Sequence, residues 1–521
     1  MNICLCYPAL VPGHKTKYGL QPLGILYIAA VLKKEGFNVS IIDADIEGLD
    51  IQDTVARILN TNPDVVGFSM MTPQLLTALS ACSLLKQARP QLPIILGGAH
   101  IDSTKEDVFQ MADCFEFAVH GEGEWTLLEI CKNIQKFGSS DSEQVCKDVP
   151  NAIYRAHNGK VIVNPIRPFT RDLDDFPSVD YDMVDITKYS IPTMAGRYVL
   201  SMMLSRGCPF KCTFCDAPIT MGTKLRFWSI ERVINDIRFY KEKYGVTNFV
   251  FKDSTFTAHK KWAAAFCQAL IDADLNIKWR ANTRVNLVPP KLLNLMAEAG
   301  CYVINFGLES GDVDVLKTIK KECKLEDAMD AFERCRKLGI RTYATFLMGN
   351  PGETEASAQA TIDFSKRVRP SLCMFFVSTA YPGTPMYIDA LKDGSVEPRW
   401  WAKQNFDPTK NSAFQARWGW TDAGALKIEG FNSEHWQRKA TREWYFRPRF
   451  FFDTLTFTIK NPFFMKHLWN LGIEMLPFYK LRNLFPARKV EEKERHEMLE
   501  RCPSEPHVSY KAVRSEDKTQ P

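Results

Sequence analysis

Three cysteines in one short run carry the clearest chemistry of this chain. Cys208, Cys212 and Cys215 stand at CxxxCxxC spacing in Ser205-Arg-Gly-Cys-Pro-Phe-Lys-Cys-Thr-Phe-Cys-Asp216. A loop with that spacing brings three thiolates to three corners of an iron–sulfur cube. No fourth protein ligand lies nearby, and an open coordination position is what separates a catalytic metal site from a structural one. Zinc would want a second Cys or His pair, and the nine histidines are scattered. Three core cysteines are the bland alternative. The run directly follows a predicted strand, Tyr198–Ser205, and that placement favours the cluster.

The other cysteines need no such role. The 521 residues contain 15 cysteines, an odd number without a framework of spacings, which reads as a reduced, cytoplasmic protein of mostly buried thiols. Met1–Leu10 shows no basic segment leading into a long apolar run, so a signal peptide is not expected. No apolar stretch reaches the roughly 18 to 20 residues of a membrane span. The net charge of +5 is too small, and too evenly spread, to suggest nucleic acid as a partner.

Elements that alternate strand with helix must position this run. Over residues 1–140, strands predicted at Asn2–Pro8, Asn38–Asp43, Val65–Met70, Ile94–Gly97 and Phe115–His120 are separated by helical stretches, among them one at Asp102–Met111. That pitch implies a doubly wound, Rossmann-like parallel sheet, whose ligands sit outside the carboxyl ends of the strands. Ser69, Gly97, Gly98, Gly121 and Glu122 stand at those ends, with glycines that admit a close backbone approach. Residues 141–195 are irregular and read as a linker, with a small hairpin over 151–163 turning at Asn158-Gly159. Residues 196–390 supply six further βα units, most simply a partial (β/α)6 barrel whose active site forms where loops leave the strands. Residues 391–521 break the pattern. They read as a mostly helical C-terminal region with a charged, disordered end.

On these motifs the second block resembles the radical SAM superfamily, in which a CxxxCxxC loop after the first barrel strand holds a [4Fe–4S] cluster. The family binds S-adenosylmethionine to the open iron and cleaves it to a 5′-deoxyadenosyl radical. The resemblance implies Phe214 near the adenine. Asn305-Phe-Gly-Leu-Glu-Ser-Gly311 is similar to the family's G-x-E-x-G segment, with Gly307 and Glu309 at the cofactor's ribose or amino group; an ionised carboxylate is acceptor-only and suits that task. Asp253 and Arg284 match polar positions at the barrel mouth. Gly349-Asn-Pro-Gly-Glu353 resembles a further turn, with Thr354 placed to cap the next helix, and Tyr381-Pro-Gly-Thr-Pro-Met386 ends the sixth strand.

The first block resembles the cobalamin-binding domains fused ahead of such barrels, through Gln21-Pro-Leu-Gly-Ile-Leu-Tyr27, Asp43, Phe68-Ser69, Gly97-Gly-Ala-His100 and His120-Gly-Glu-Gly-Glu-Trp125. The resemblance implies cobalamin contacts at Ser69, Gly97, Gly98, Gly121 and Glu122. The D-x-H-x-x-G motif that supplies a cobalt ligand in many cobalamin domains is absent from the sequence, and His100 and His120 read as hydrogen-bonding or packing residues. A domain that has lost its cofactor and merely caps the barrel is the alternative.

Together these features imply a cobalamin-dependent radical SAM methyltransferase acting on an unactivated carbon of a hydrophobic or natural-product substrate. A radical oxidative cyclase of the same architecture is the alternative, and a cofactor-sensing module without activity is a third reading. The resemblance also implies an electron donor such as flavodoxin or ferredoxin. In the tail from Arg447 to Phe485 aromatic and basic residues interleave. This suggests either packing onto the barrel or peripheral contact with the inner face of a membrane, where lipid-like substrates would be met.

Overall fold

The computed structural model describes residues 1–450 and 452, except 17, 192–193, 195–197 and 404–423. Five short β-rich runs form the parallel part of a first sheet: β1 Asn2–Tyr7, β2 Asn38–Asp43, β3 Val65–Ser69, β4 Ile94–Gly97 and β5 Phe117–Val119, in the order β2-β1-β3-β4-β5. β3 and β4 are buried almost throughout, as strands covered by helices on both faces must be. In this strand order the crevice opens where the winding reverses, between β1 and β3.

The hairpin over 151–163 is present, as β6 Ala152–Arg155 and β7 Val161–Val163. It lies elsewhere than the sequence suggested. β6 pairs antiparallel with β5, so the hairpin completes the first sheet as its sixth and seventh strands and is no part of a linker. The reason is local. A lone hairpin is marginal in water, whereas here Ile153 and Tyr154 are buried against the sheet and His120 N–H donates to the Asn151 carbonyl. The expected helix over 102–111 is also broken. Helical turns at Ala99–Thr104 and Val108–Met111 flank a 3-10 turn at Lys105–Asp107, and Lys105 has φ +49°.

The stretch between the sheets is built of 3-10 turns at Leu173–Asp175, Tyr181–Met183 and Ile186–Lys188. Asp172, Asp180 and Asp185 cap them. The connection is stitched to both sides. Tyr189 hydroxyl donates to Asp43 Oδ2 at 2.8 Å. The buried Gln21 amide donates to the Val199 carbonyl at 2.8 Å and accepts from Ser201 N–H at 3.0 Å.

The second sheet is six-stranded, parallel and in chain order: β8 Leu200–Met202, β11 Asn248–Phe251, β12 Lys278–Thr283, β13 Cys301–Glu309, β14 Arg341–Met348 and β15 Leu372–Val377. It forms the expected partial barrel. A two-strand ribbon, β9 Ser205–Arg206 with β10 Arg226–Phe227, brackets the cysteine loop. Val199, Val250, Val303, Tyr343, Leu372 and Met374 pack on the luminal side. Trp279, Ala281, Ile304 and Phe306 face the helices. Beyond the barrel, helix Ser433–Tyr445 lies against β15. Gln437 Nε2 donates to the Phe375 carbonyl at 2.9 Å and Tyr445 hydroxyl to the Cys373 carbonyl at 2.7 Å. The tail over 453–485 falls outside the described residues. No helix among the described residues is long and apolar enough to cross a membrane.

Candidate active site at the barrel mouth

The cysteine loop is held by backbone bonds rather than by its own side chains. Gly207 has φ +94°, and a Cβ there would sit 2.2 Å from the Lys224 carbonyl oxygen, so the turn into Cys208 needs glycine. Cys208 N–H donates to the Gly222 carbonyl, Cys215 N–H to Cys212, and Thr213 N–H to Ile319, each within 3.2 Å. All three cysteines are free thiols. Burial pushes the Cys212 thiol up despite the opposing charges of Lys321 and Arg284, and it pushes Cys215 up to about 12. A bound metal is what would hold such buried sulfurs as thiolates. Among the described residues no three His, Cys, Asp or Glu side chains converge on a point where one ion could sit. A [4Fe–4S] cube takes one thiolate at each of three irons.

Glu309 ends β13 at φ +65°, past a register shift between Gly307 and Glu309. Its Oε1 accepts from Lys321 Nζ at 2.8 Å, and both side chains are buried. A Cβ on Gly307 would fall 2.3 Å from that same oxygen and 2.9 Å from Nζ, so Gly307 makes the room for the pair. Lys321 Nζ stands 5.8 Å from the Phe214 ring centre. Arg284 donates through Nη1 to Cys212 Sγ at 3.5 Å and through Nη2 to the Glu322 carbonyl at 3.2 Å, with its guanidinium 4.2 Å over the Phe210 ring. Asp253 Oδ1 accepts from Ser205 Oγ while buried Oδ2 has no partner, and burial raises its carboxyl to about 6. The structure therefore gathers Phe214, Arg284, Gly307 and Glu309 around the cysteines, with Asp253 against the strand that leads into them. Lys321 was not foreseen. It follows a short helix, Val313–Thr318, in a run of charged residues that has no pattern of its own.

At the ends of the first sheet, Gly98 has φ +98°, and a Cβ there would lie 2.6 Å from the backbone N and O of Met70, so β3 and β4 leave the sheet in close contact only with glycine. Gly97, Ser69 and Gly121 keep accessible surface beside buried neighbours. Gly121 N–H donates to Asp102 Oδ1 at 2.6 Å. His100 is fully buried. Its Nδ1 pairs with Thr72 Oγ1 at 3.1 Å, and burial lowers its pKa to about 3, so it is neutral. His120 Nε2 meets the Asn164 carbonyl at 3.1 Å. Both histidines serve the fold in this way, as read from the sequence. The Glu122 carboxylate is taken up by arginines of the second domain. Oε1 accepts from Arg206 Nη1 at 3.0 Å and from Arg226 Nη1 at 2.7 Å, and Oε2 accepts from Thr170 N–H at 3.0 Å. Arg206 also reaches Glu124 Oε1 at 2.6 Å, beneath the rings of Phe176, Tyr27 and Trp228.

Residues 202–365 match the family model of the radical SAM superfamily, and residues 10–131 match that of the B12 binding domain. An uncharacterized methyltransferase of Pyrococcus horikoshii is 30% identical over 455 residues, which cover 86% of this chain and 93% of that protein. The chain is a radical SAM enzyme with a B12-binding domain. The anaerobic magnesium-protoporphyrin IX monomethyl ester cyclase of Rubrivivax gelatinosus is similar to this radical SAM enzyme at 28% identity, over 70% of this chain and 65% of its own. Among solved structures, the radical S-adenosylmethionine methyltransferase TsrM from Kitasatospora setae shares the fold, with a TM-score of 0.63 at 18% identity over 86% of this chain and 90% of that one.

The cofactors of this radical SAM enzyme are a [4Fe–4S] cluster, S-adenosylmethionine and cobalamin. The residues present fit them. Three free thiols lie beside two cations. A buried, unpartnered Asp253 Oδ2 and Arg284 Nε remain at the mouth, and an accessible glycine-rich rim closes the first sheet. The enzyme acts on a small molecule and takes electrons from a reductant.

Proposed function

We propose that this enzyme transfers a methyl group to an unactivated carbon of a hydrophobic small molecule. The observation that carries the reading is the seam at Arg206. It ties the loop after β5, Gly121–Glu124, to the strand that enters the cysteine loop, and so brings the carboxyl ends of β5 and β8 next to each other. When bound, the cluster with S-adenosylmethionine supplies a hydrogen-abstracting 5′-deoxyadenosyl radical, and cobalamin supplies the methyl group. Cys208, Cys212 and Cys215 hold the cluster in this reading. Phe214, Asp253, Arg284, Gly307 and Glu309 orient S-adenosylmethionine, Lys321 fixes the Glu309 carboxylate, and Ser69, Gly97, Gly98 and Gly121 line the cobalamin rim. Glu122 is reassigned from cobalamin contact to the seam, because three donors already use its carboxylate.

The protein is read as cytoplasmic, with flavodoxin or ferredoxin as reductant and a lipid-like substrate met at the membrane surface through the aromatic, basic tail. The second reading is oxidative cyclisation without methyl transfer, favoured by the similarity to the Rubrivivax gelatinosus cyclase. Anaerobic reconstitution with iron, sulfide and cobalamin, followed by reduction with S-adenosylmethionine, separates the two. Methylcobalamin together with 5′-deoxyadenosine supports methyl transfer. Formation of 5′-deoxyadenosine without retained cobalamin supports the cyclase reading and reduces the first domain to a cap.

A further inference from the structure

Barrel interiors are ordinarily filled by layers of apolar side chains. Here only part of the luminal wall follows that rule. Val250, Val303, Tyr343 and Met374 pack together on the luminal side. At the same levels accessibility alternates along the strands. On β12 Arg280 and Asn282 keep accessible surface while Trp279, Ala281 and Thr283 are buried. On β13 Asn305 and Gly307 do so, and on β14 Thr345 and Leu347. Because successive side chains point to opposite faces, the accessible set lies on the luminal face, beside the buried Val303, Tyr343 and Met374, and part of the lumen stays accessible.

Two cations point into it. Lys252 lies two residues beyond luminal Val250 and so shares its face, and it keeps a large accessible surface. Arg280 is the register neighbour of Val250 on the adjacent strand, with its guanidinium 5.4 Å over the luminal Tyr343 ring. The carboxylates nearest the mouth are engaged elsewhere, Glu309 with Lys321 and Asp253 with Ser205. Lys252 makes no ion pair among the described residues. Burial and then the charge of Arg280 bring its ammonium down to about 8. The amides beside it are polar as well. Asn305 Nδ2 donates to Asn282 Oδ1 at 3.1 Å, and buried Asn305 Oδ1 has no partner.

We propose that Lys252 binds an anionic group of the substrate, a carboxylate or phosphate, inside the barrel lumen. Like charges held together in an enclosed space disfavour each other, and an anion between them reverses the sign of that interaction. The site borders the S-adenosylmethionine site, since Lys252 directly precedes Asp253, and it extends below Glu309. By register Lys252 lies level with Asn282 and Asn305, four residues below Glu309 along β13, or about 13 Å at strand rise. Resting on the methyl-transfer reading, the proposal makes the substrate an elongated molecule, apolar over its body and anionic at the end that enters first.

The test is chemical labelling of the reconstituted holoenzyme. Lys252 acetylation by acetic anhydride at pH 8 is followed by mass spectrometry with S-adenosylmethionine already saturating. Decanoate is the probe, and decanol is its neutral counterpart. Labelling is expected to slow about tenfold with decanoate at about ten times its dissociation constant, and not with decanol. Equal protection by decanol, full protection by S-adenosylmethionine alone, or a Lys252 that never reacts would each overturn the assignment. The readout needs no turnover, so failure to detect methyl transfer would count against the proposed function and leave this result standing.

Discussion

Arg206 holds Glu124 at 2.6 Å across the boundary between the two domains, two residues ahead of the first cluster cysteine. The same guanidinium holds Glu122 at 3.0 Å, and all three side chains are buried. The pair joins the B12-binding domain directly to the strand that delivers Cys208.

Removing one member of a buried pair leaves the other charge uncompensated, at a cost of about 3–5 kcal/mol. Arg206→Ala is therefore expected to lower the denaturation midpoint strongly. Arg206→Lys should recover only part of the loss, since it keeps charge but gives up the two-pronged geometry and the ring contacts. Burial raises the Glu122 carboxyl, yet Arg206 and Arg226 outweigh it and the net shift is downward. A depressed carboxyl contributes stability above its unfolded pKa and loses it as pH falls through the folded one. The seam should weaken below about pH 4, and the effect should vanish in Glu122→Gln. Urea midpoints at pH 3.5 and 7 read both.

Gly307→Ala would drive a methyl group into the Glu309 carboxylate. Overpacking of this kind costs about 1–3 kcal/mol, and the pair with Lys321 must part to relieve it. The variant is expected to keep its cluster, seen by iron content and absorbance, and to lose S-adenosylmethionine affinity in equilibrium dialysis. Unchanged affinity would remove Glu309 from the cofactor site.

Asp43 provides a pH dependence of the opposite sign. It accepts from Tyr189 hydroxyl and Ile46 N–H, but burial dominates and raises its carboxyl to about 7. A raised carboxyl contributes stability that is full below its unfolded pKa, about 4, and is lost as pH rises through 7. Stability should fall between pH 5 and 8 by a few kcal/mol. Asp43→Asn should flatten that slope. A slope unchanged in the variant would assign it to another group.

Trp444 is buried between helix Glu355–Val368 and the barrel, with Nε1 directed at the Ser365 carbonyl. Trp444→Ala should cost about 3–5 kcal/mol and leave the iron content per folded molecule unchanged, which a thermal melt and an iron assay report together.

The parts of the site legible in the sequence are those in which chemistry is local. Cys208, Cys212 and Cys215 lie within one loop, and β2 and β4 agree to the residue with the strands expected at Asn38–Asp43 and Ile94–Gly97. Lys321 was hidden because its partner is twelve positions away and only folding brings it to Glu309. Glu122 was found at a strand end, but the arginines that occupy it lie 84 and 104 positions further on. The hairpin was recognised by its turn, while its place depended on the free edge of β5, which no local pattern announces. The break at Lys105 likewise has no local signal, since Asp102–Met111 carries no proline or glycine.

Gln21 bears on how this protein can be taken apart. Its amide meets the Val199 carbonyl and Ser201 N–H as a neighbouring strand would, so the start of the barrel is completed by a side chain from the first domain. Each of those backbone groups, left buried and unmatched, would cost about 1–3 kcal/mol. The two domains are consequently not exchangeable modules. A barrel excised at residue 196, or joined to a foreign first domain without an equivalent glutamine, would begin with a defective strand, and the smallest portion that can be transplanted intact is the pair.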